Sequence, residues 1–183
     1  MAEKVRSRLP ERLVSAGADQ PFRYDVAFSF LIQDEALAVD LNGRLKDRLT
    51  TFIRTHRERQ ETSACGAGEE AFSVAFAKHA RTVVVLYRSG WGERGSTNVE
   101  AAAMRNRSDE FGYDFATFIP LDNPSTVPDW LPRNRIWVGL ARWGVEHAAT
   151  VIESRVQEAW GTPKESTAAD IVARAIGRRL QIH

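Results

Sequence analysis

Short apolar runs alternate with longer stripes of recurring hydrophobic positions along this chain, and that alternation sets the expected fold. Phe22 to Phe30 is alternating and rich in aromatic residues, which reads as a first strand. Leu37, Leu41, Leu45 and Leu49 then recur at every fourth residue, marking a helix that starts near Asp34 and faces a sheet. Thr51 to Thr55 supplies a second strand, and Glu69 and Glu70 open a helix that buries Phe72, Ala75 and Phe76. Arg81 to Tyr87 is a continuous β-branched run, the pattern of a fully buried strand. A Gly-rich loop from Ser89 to Gly95 carries Trp91, after which Ser96 or Thr97 can cap a helix beginning at Asn98. Phe115 to Leu121 forms a fourth strand and Arg135 to Val138 a short fifth. Val145, Ala148, Ala149, Ile152, Val156 and Ala159 trace a clear amphipathic helix.

Strands alternating with helices predict an α/β domain: a five-stranded parallel sheet with helices on both faces and right-handed crossovers. The crossover from Asn123 to Asn134, with Pro128 and Pro132, shows no strong helical pattern. Residues 1–21 read as an arm or weak helix, interrupted by Pro10 and ended by Gly17. The domain proper is expected over 22–161, and 162–183 as a basic helix that can lead into a further domain.

Composition narrows the function classes. With 25 Lys and Arg against 24 Asp and Glu, the net charge of +1 gives no electrostatic case for nucleic acid. The single Cys65 excludes an internal disulfide, and the four scattered histidines offer no metal cluster. No apolar run is long enough to span a bilayer, and the charged N-terminus is not signal-like, so a reducing, cytoplasmic setting is expected.

The candidate chemistry centres on Glu100. It follows the central strand and its loop, at the strand end where open α/β sheets place ligand sites. An acidic residue near a helix start also complements the macrodipole, so its position alone fits a structural role as well. The polar stretch from His56 to Gly68 is long for a connection in a compact α/β unit, a length more typical of functional loops. Within it Gly66-Ala67-Gly68 could bind an anion through free amides, but Glu69 and Glu70 would repel one. Cys65 has no evident base to activate it.

Tyr24-Asp25-Val26-Ala27-Phe28-Ser29-Phe30, followed by Asp34, resembles the first-strand signature of Toll/interleukin receptor (TIR) domains. Val83 to Leu86, then Ser89, Trp91 and Glu100, are similar to that family's third strand, loop and helical acidic residue. The run from Glu100 to Arg107 resembles bacterial members in particular, and the likeness spans about Arg23 to Trp160. Two departures stand out. Ser96 occupies the position four before the acidic residue, where the family usually has Trp, and the Arg-Asp-Pro-Gly type of motif of receptor adaptors is missing.

The resemblance implies a flavodoxin-like sheet and, in the enzymatic bacterial branch, cleavage of the nicotinamide–ribose bond of NAD, to ADP-ribose or a cyclic form, in defence or signalling. It implies Glu100 as the catalytic carboxylate, and no cofactor beyond NAD as substrate. Charge developing on the ribose would meet a fixed carboxylate. Because nicotinamide leaves as a neutral ring from a cationic pyridinium, a single carboxylate suffices. Ser29, Phe30 and Leu31 would hold the nicotinamide ribose, and Arg54, Arg57 or Arg59 would meet the pyrophosphate. Trp91 would either stack on a ring or anchor its loop. Self-association through TIR–TIR contacts is expected, the His56 to Gly68 loop of a neighbouring copy completing the site, with a further domain or regulatory protein as other partners. Two alternatives accompany this reading: a non-catalytic TIR module that self-assembles, and a related sheet that transfers deoxyribosyl groups.

Overall fold

In the computed structural model, which describes residues 22–55, 57–58, 61, 73–93, 95–123, 127–159 and 161, the central element is β3, Ala80–Tyr87. Its run of buried residues from Thr82 to Leu86 is flanked on one side by β1 (Tyr24–Phe30) and on the other by β4 (Ala116–Pro120). Both pairings are parallel, with Tyr24 opposite Ala80 and Val83 opposite Ala116. A two-residue β2 (Thr51–Phe52) pairs with the outer side of β1, giving the order β2-β1-β3-β4. Continuous burial is what a parallel sheet covered on both faces demands.

Period-2 alternation sends neighbouring residues of each strand to opposite faces. Val26, Phe28, Phe30, Val84, Leu86 and Ile119 meet α1 (Glu35–Leu45) and α3 (Leu140–Glu158) on one side. Ala27, Val83, Val85 and Phe118 meet α2 (Gly95–Phe111) and the turn Ala75–His79 on the other. Arg44 of α1 and Arg48 of the turn after it pair with Glu146 and Glu153 of α3, tying the first helical layer together. On the second face, the buried guanidinium of Arg107 donates to the carbonyls of Phe76 (3.2 Å) and Ala80 (2.7 Å). Its positive charge lies over the Phe115 ring, 4.0 Å from the centroid. Burial pushes the Arg107 pKa down to about 10, so the group remains a cation at neutral pH.

The expected fifth strand is a single parallel bridge, Ile136 to Phe118, supported by Trp137 N–H donating to Phe118 O at 2.8 Å. A 3-10 turn, Arg133–Arg135, ends immediately before it, and α3 begins immediately after Gly139. Gly139 lies so close to Trp137 and Trp143 that any Cβ there would collide with both rings. Too few residues are left between turn and helix for a ladder. The second strand is also shorter than its apolar run. Thr55 instead starts a helical turn, its hydroxyl and N–H exchanging hydrogen bonds with Glu58 in a capping box. Those bonds, with the Thr55 N–H first, hold the Glu58 pKa below its ordinary value.

The arm 1–21, the basic tail 162–183 and most of the stretch from His56 to Gly68, Cys65 and Arg59 included, lie outside the described residues, as do Glu69, Glu70 and Phe72. Among the described residues, no helix is long and apolar enough to cross a membrane, and no group of three His, Cys, Asp or Glu could hold a metal ion.

Candidate active site

Connections from β1 to β2 and from β3 to β4 run in opposite directions, so the switch point of the sheet, where a crevice is expected, lies between the carboxyl ends of β1 and β3. Open parallel sheets place ligands at this kind of switch point. Ser29 lies one residue before the end of β1, and Trp91 lies in the loop that leaves β3. Glu100 is on the helix that follows. These three expected site residues come together.

Glu100 does not sit in the first turn of its helix. α2 begins at Gly95, so Glu100 is a full turn in, on the buried stripe it shares with Thr97, Ala101 and Met104. No acidic residue occupies the first turn, so complementing the helix dipole does not account for this carboxylate. Glu100 has 0% of its surface exposed, in a layer built mainly from Ala, Val, Phe and Met side chains together with Trp91 and Leu131.

The hydrogen bonds around it have one possible direction. An indole N–H can only donate. Trp91 Nε1 therefore donates to Ser29 Oγ at 2.8 Å, and the Ser29 hydroxyl proton is left to go to Glu100 Oε2. The relay Trp91–Ser29–Glu100 thus ends with the Ser29 hydroxyl donating to the Glu100 side chain.

Trp91 is held by packing as well as by this bond. It is 4% exposed, and its ring meets Tyr87 and Phe118 edge-on at centroid distances of 5.9 and 5.7 Å. Of the two expected roles, the structure places it as a loop anchor, with no face open for a ring to stack on. The loop is fixed locally. Trp91 N–H donates to Arg88 O at 3.0 Å, and Gly90, at φ 92, supplies the left-handed position such a turn requires. Gly92 N–H then donates to Thr97 Oγ1 at 3.1 Å, so the expected capping hydroxyl ties the loop to α2 from inside the helix.

The other expected residues lie apart from this group. Phe30 is 1% exposed and packs between the sheet and α1, on the face opposite Ser29. Leu31 is half-buried and packs against the Glu100 side of the core. Arg54 lies over the Phe52 ring, 5.9 Å from its centroid, beyond the end of β2. Arg57 is exposed and pairs with Glu61 at 3.0 Å.

Sequence reading overlooked a second cluster at the same strand ends. Arg88, the first residue after β3, donates from Nε to Asp34 at 2.8 Å and from Nη1 to Asp122 at 3.1 Å. Asp34 follows β1 and Asp122 follows β4. Asp122 also accepts the Ser89 N–H at 2.7 Å. The bond to Asp34 comes first in holding Arg88 above its ordinary pKa. Burial, then Glu93, Asp122 and Asp129, raise the neighbouring Tyr87 phenol. Only the apposition of charged residues after successive strands could have signalled this cluster in the sequence.

A scan against protein-family models finds no match for this chain, and neither does a search of curated proteins.

Proposed function

We propose that this domain is an NAD nucleosidase of the TIR type, with a flavodoxin-like sheet, that breaks the nicotinamide–ribose bond and uses Glu100 as the carboxylate facing the developing ribosyl cation. The observation that carries this reading is a carboxylate at a core position of α2, beside the crevice, with a directed donor relay behind it. Burying a carboxylate among apolar side chains costs free energy that an alanine or leucine at the same place would avoid. Ionisable side chains buried beside a strand-end switch point are candidates for functional sites. The resemblance to bacterial TIR enzymes supplies the substrate class. Defence or signalling is the setting that the resemblance implies, and self-association through the His56 to Gly68 region is part of the same reading.

One observation favours the alternative of a non-catalytic TIR interaction module. Glu100 exposes no surface, so reaching a ribose requires the carboxylate to turn outward or the loop over it to move. Exposed Val138 and Trp143 offer apolar surface for assembly instead.

Nicotinamide release from NAD by the intact chain, dilute and concentrated, next to Glu100→Gln, separates the two. Turnover should fall roughly 10²-fold or more in the variant, the usual loss for a missing electrostatic stabiliser, with NAD affinity changed much less. Specific activity should rise with protein concentration. Equal turnover in a folded Glu100→Gln protein, or no turnover in either, would leave the interaction module as the better reading.

A further inference from the structure

The three strand ends around the crevice are joined by one cation. Asp34 is 4% exposed and comes from the segment after β1, Arg88 roots the loop after β3, and Asp122 comes from the segment after β4. The hydrogen bonds of this group are distinct from those that link Trp91, Ser29 and Glu100, so the relay leaves its purpose unexplained. The loop it roots is the one that carries Trp91. Arg88 O accepts the Trp91 N–H, and Asp122 grips both Arg88 and the next amide, Ser89. One end of the four-residue turn is therefore fixed by two aspartates, and the far side by Gly92 on Thr97.

We infer that Arg88 is a positioning residue: bridging Asp34 and Asp122, it fixes the root of the 88–91 turn so that the Trp91 indole stays on Ser29 and the Ser29 hydroxyl stays aimed at Glu100.

Geometry explains why the position calls for arginine. A guanidinium presents donors in a rigid planar fork, so two of its nitrogens can hold two carboxylates in fixed relative places. A lysine ammonium is a single point of charge on a flexible stem and reproduces the charge without the fork. The carboxylates are themselves fixed. Asp34 sits in a 3-10 turn, Ile32–Asp34, leading into α1, and Asp122 takes one bond from Arg88 and one from the backbone. The segments after β1 and β4 are thereby both tied to the loop after β3, which lies between them. A ligand entering there would meet a loop whose root cannot drift.

The inference rests on the catalytic reading of Glu100 only for its consequence in turnover, so its test has an arm that needs no catalysis. In uniformly 15N-labelled protein the indole resonance of Trp91 is assigned by its loss in Trp91→Phe. In the native chain it should be protected from solvent exchange. In Arg88→Ala that protection should fall by roughly tenfold or more while the other indole resonances stay in place. Arg88→Lys should restore part of it, and Asp122→Asn, the smaller change, should weaken it without unfolding should Arg88→Ala fail to fold. If the chain turns over NAD, kcat should fall roughly ten- to hundredfold with KM changed less than about threefold, the signature of a misplaced catalytic group. An unchanged Trp91 resonance in a folded Arg88→Ala or Asp122→Asn protein overturns the inference, as does a kcat that rises when the indole is freed. Lack of turnover in the native chain would sink the NAD reading alone, since the indole arm decides the bridge by itself.

Discussion

Ser29→Ala removes one oxygen and with it both buried links of the relay. Trp91 Nε1–H loses its acceptor, and Glu100 loses its hydroxyl donor. A buried donor left unsatisfied costs about 1–3 kcal/mol, and a hydrogen bond to a charged group contributes about 1.5–3 kcal/mol. Partial relaxation of the loop offsets some of this, so we expect a destabilisation of about 2–4 kcal/mol. For a chain of this size each kcal/mol moves Tm by about 2–4 °C, which places the drop at roughly 5–15 °C. Urea titration is the assay, with an unchanged m-value showing that stability and not compactness has altered. Trp91→Phe, which keeps the Ser29–Glu100 bond, completes a cycle. The double variant should cost less than the sum of the two by roughly 0.5–3 kcal/mol, because both single changes break the same bond. A Ser29→Ala cost below about 0.5 kcal/mol, the range of an inconsequential surface change, would refute the relay as a buried, directed unit.

Phe30→Ala should cost about 3–5 kcal/mol by emptying the core beneath α1, as thermal melts would reveal, and on the proposed NAD reading turnover per folded molecule should stay nearly unchanged. Arg107→Met keeps the apolar stem but strips the donors from the Phe76 and Ala80 carbonyls, and should destabilise by about 1–3 kcal/mol in urea titration. The lowered pKa of Glu58 means that its capping contribution is complete above the unfolded value of 4.5 and is lost as pH falls through the lower folded value. Protection of the Thr55 amide, taken against its intrinsic exchange rate at each pH and followed downward from pH 6, should therefore fall only in that acid window.

Much of the sheet was legible because buried strands leave continuous apolar runs. β1 and β4 lie within the stretches that their patterns marked, and β3 begins one residue before its own, at Ala80. β2 and the bridge at Ile136 fell short because what limits an edge strand is set outside it. Thr55 and Glu58 turn the chain into a helix in one case, and Gly139, wedged against two tryptophans, does so in the other. At the site, Ser29, Trp91 and Glu100 were identifiable by residue type and order. The strand alternation already present in the sequence places Ser29 and Phe30 on opposite faces, which would have separated Phe30 from the group. The bridge of Asp34, Arg88 and Asp122 was not readable, since its partners are 54 and 34 residues apart and only the sheet order brings them together.

The separations within the relay carry a consequence for when during synthesis the site can form. Ser29 and Glu100 are 71 residues apart and Ser29 and Trp91 are 62 apart, and each contact depends on the parallel docking of β3 on β1. Such non-local pairings form slowly, because a long segment must be closed into a loop before any contact rewards it. Neither half of the chain can assemble the relay early in synthesis. Any capacity to consume a substrate would therefore switch on late and together with the completed sheet, leaving nascent and partly folded chains inert.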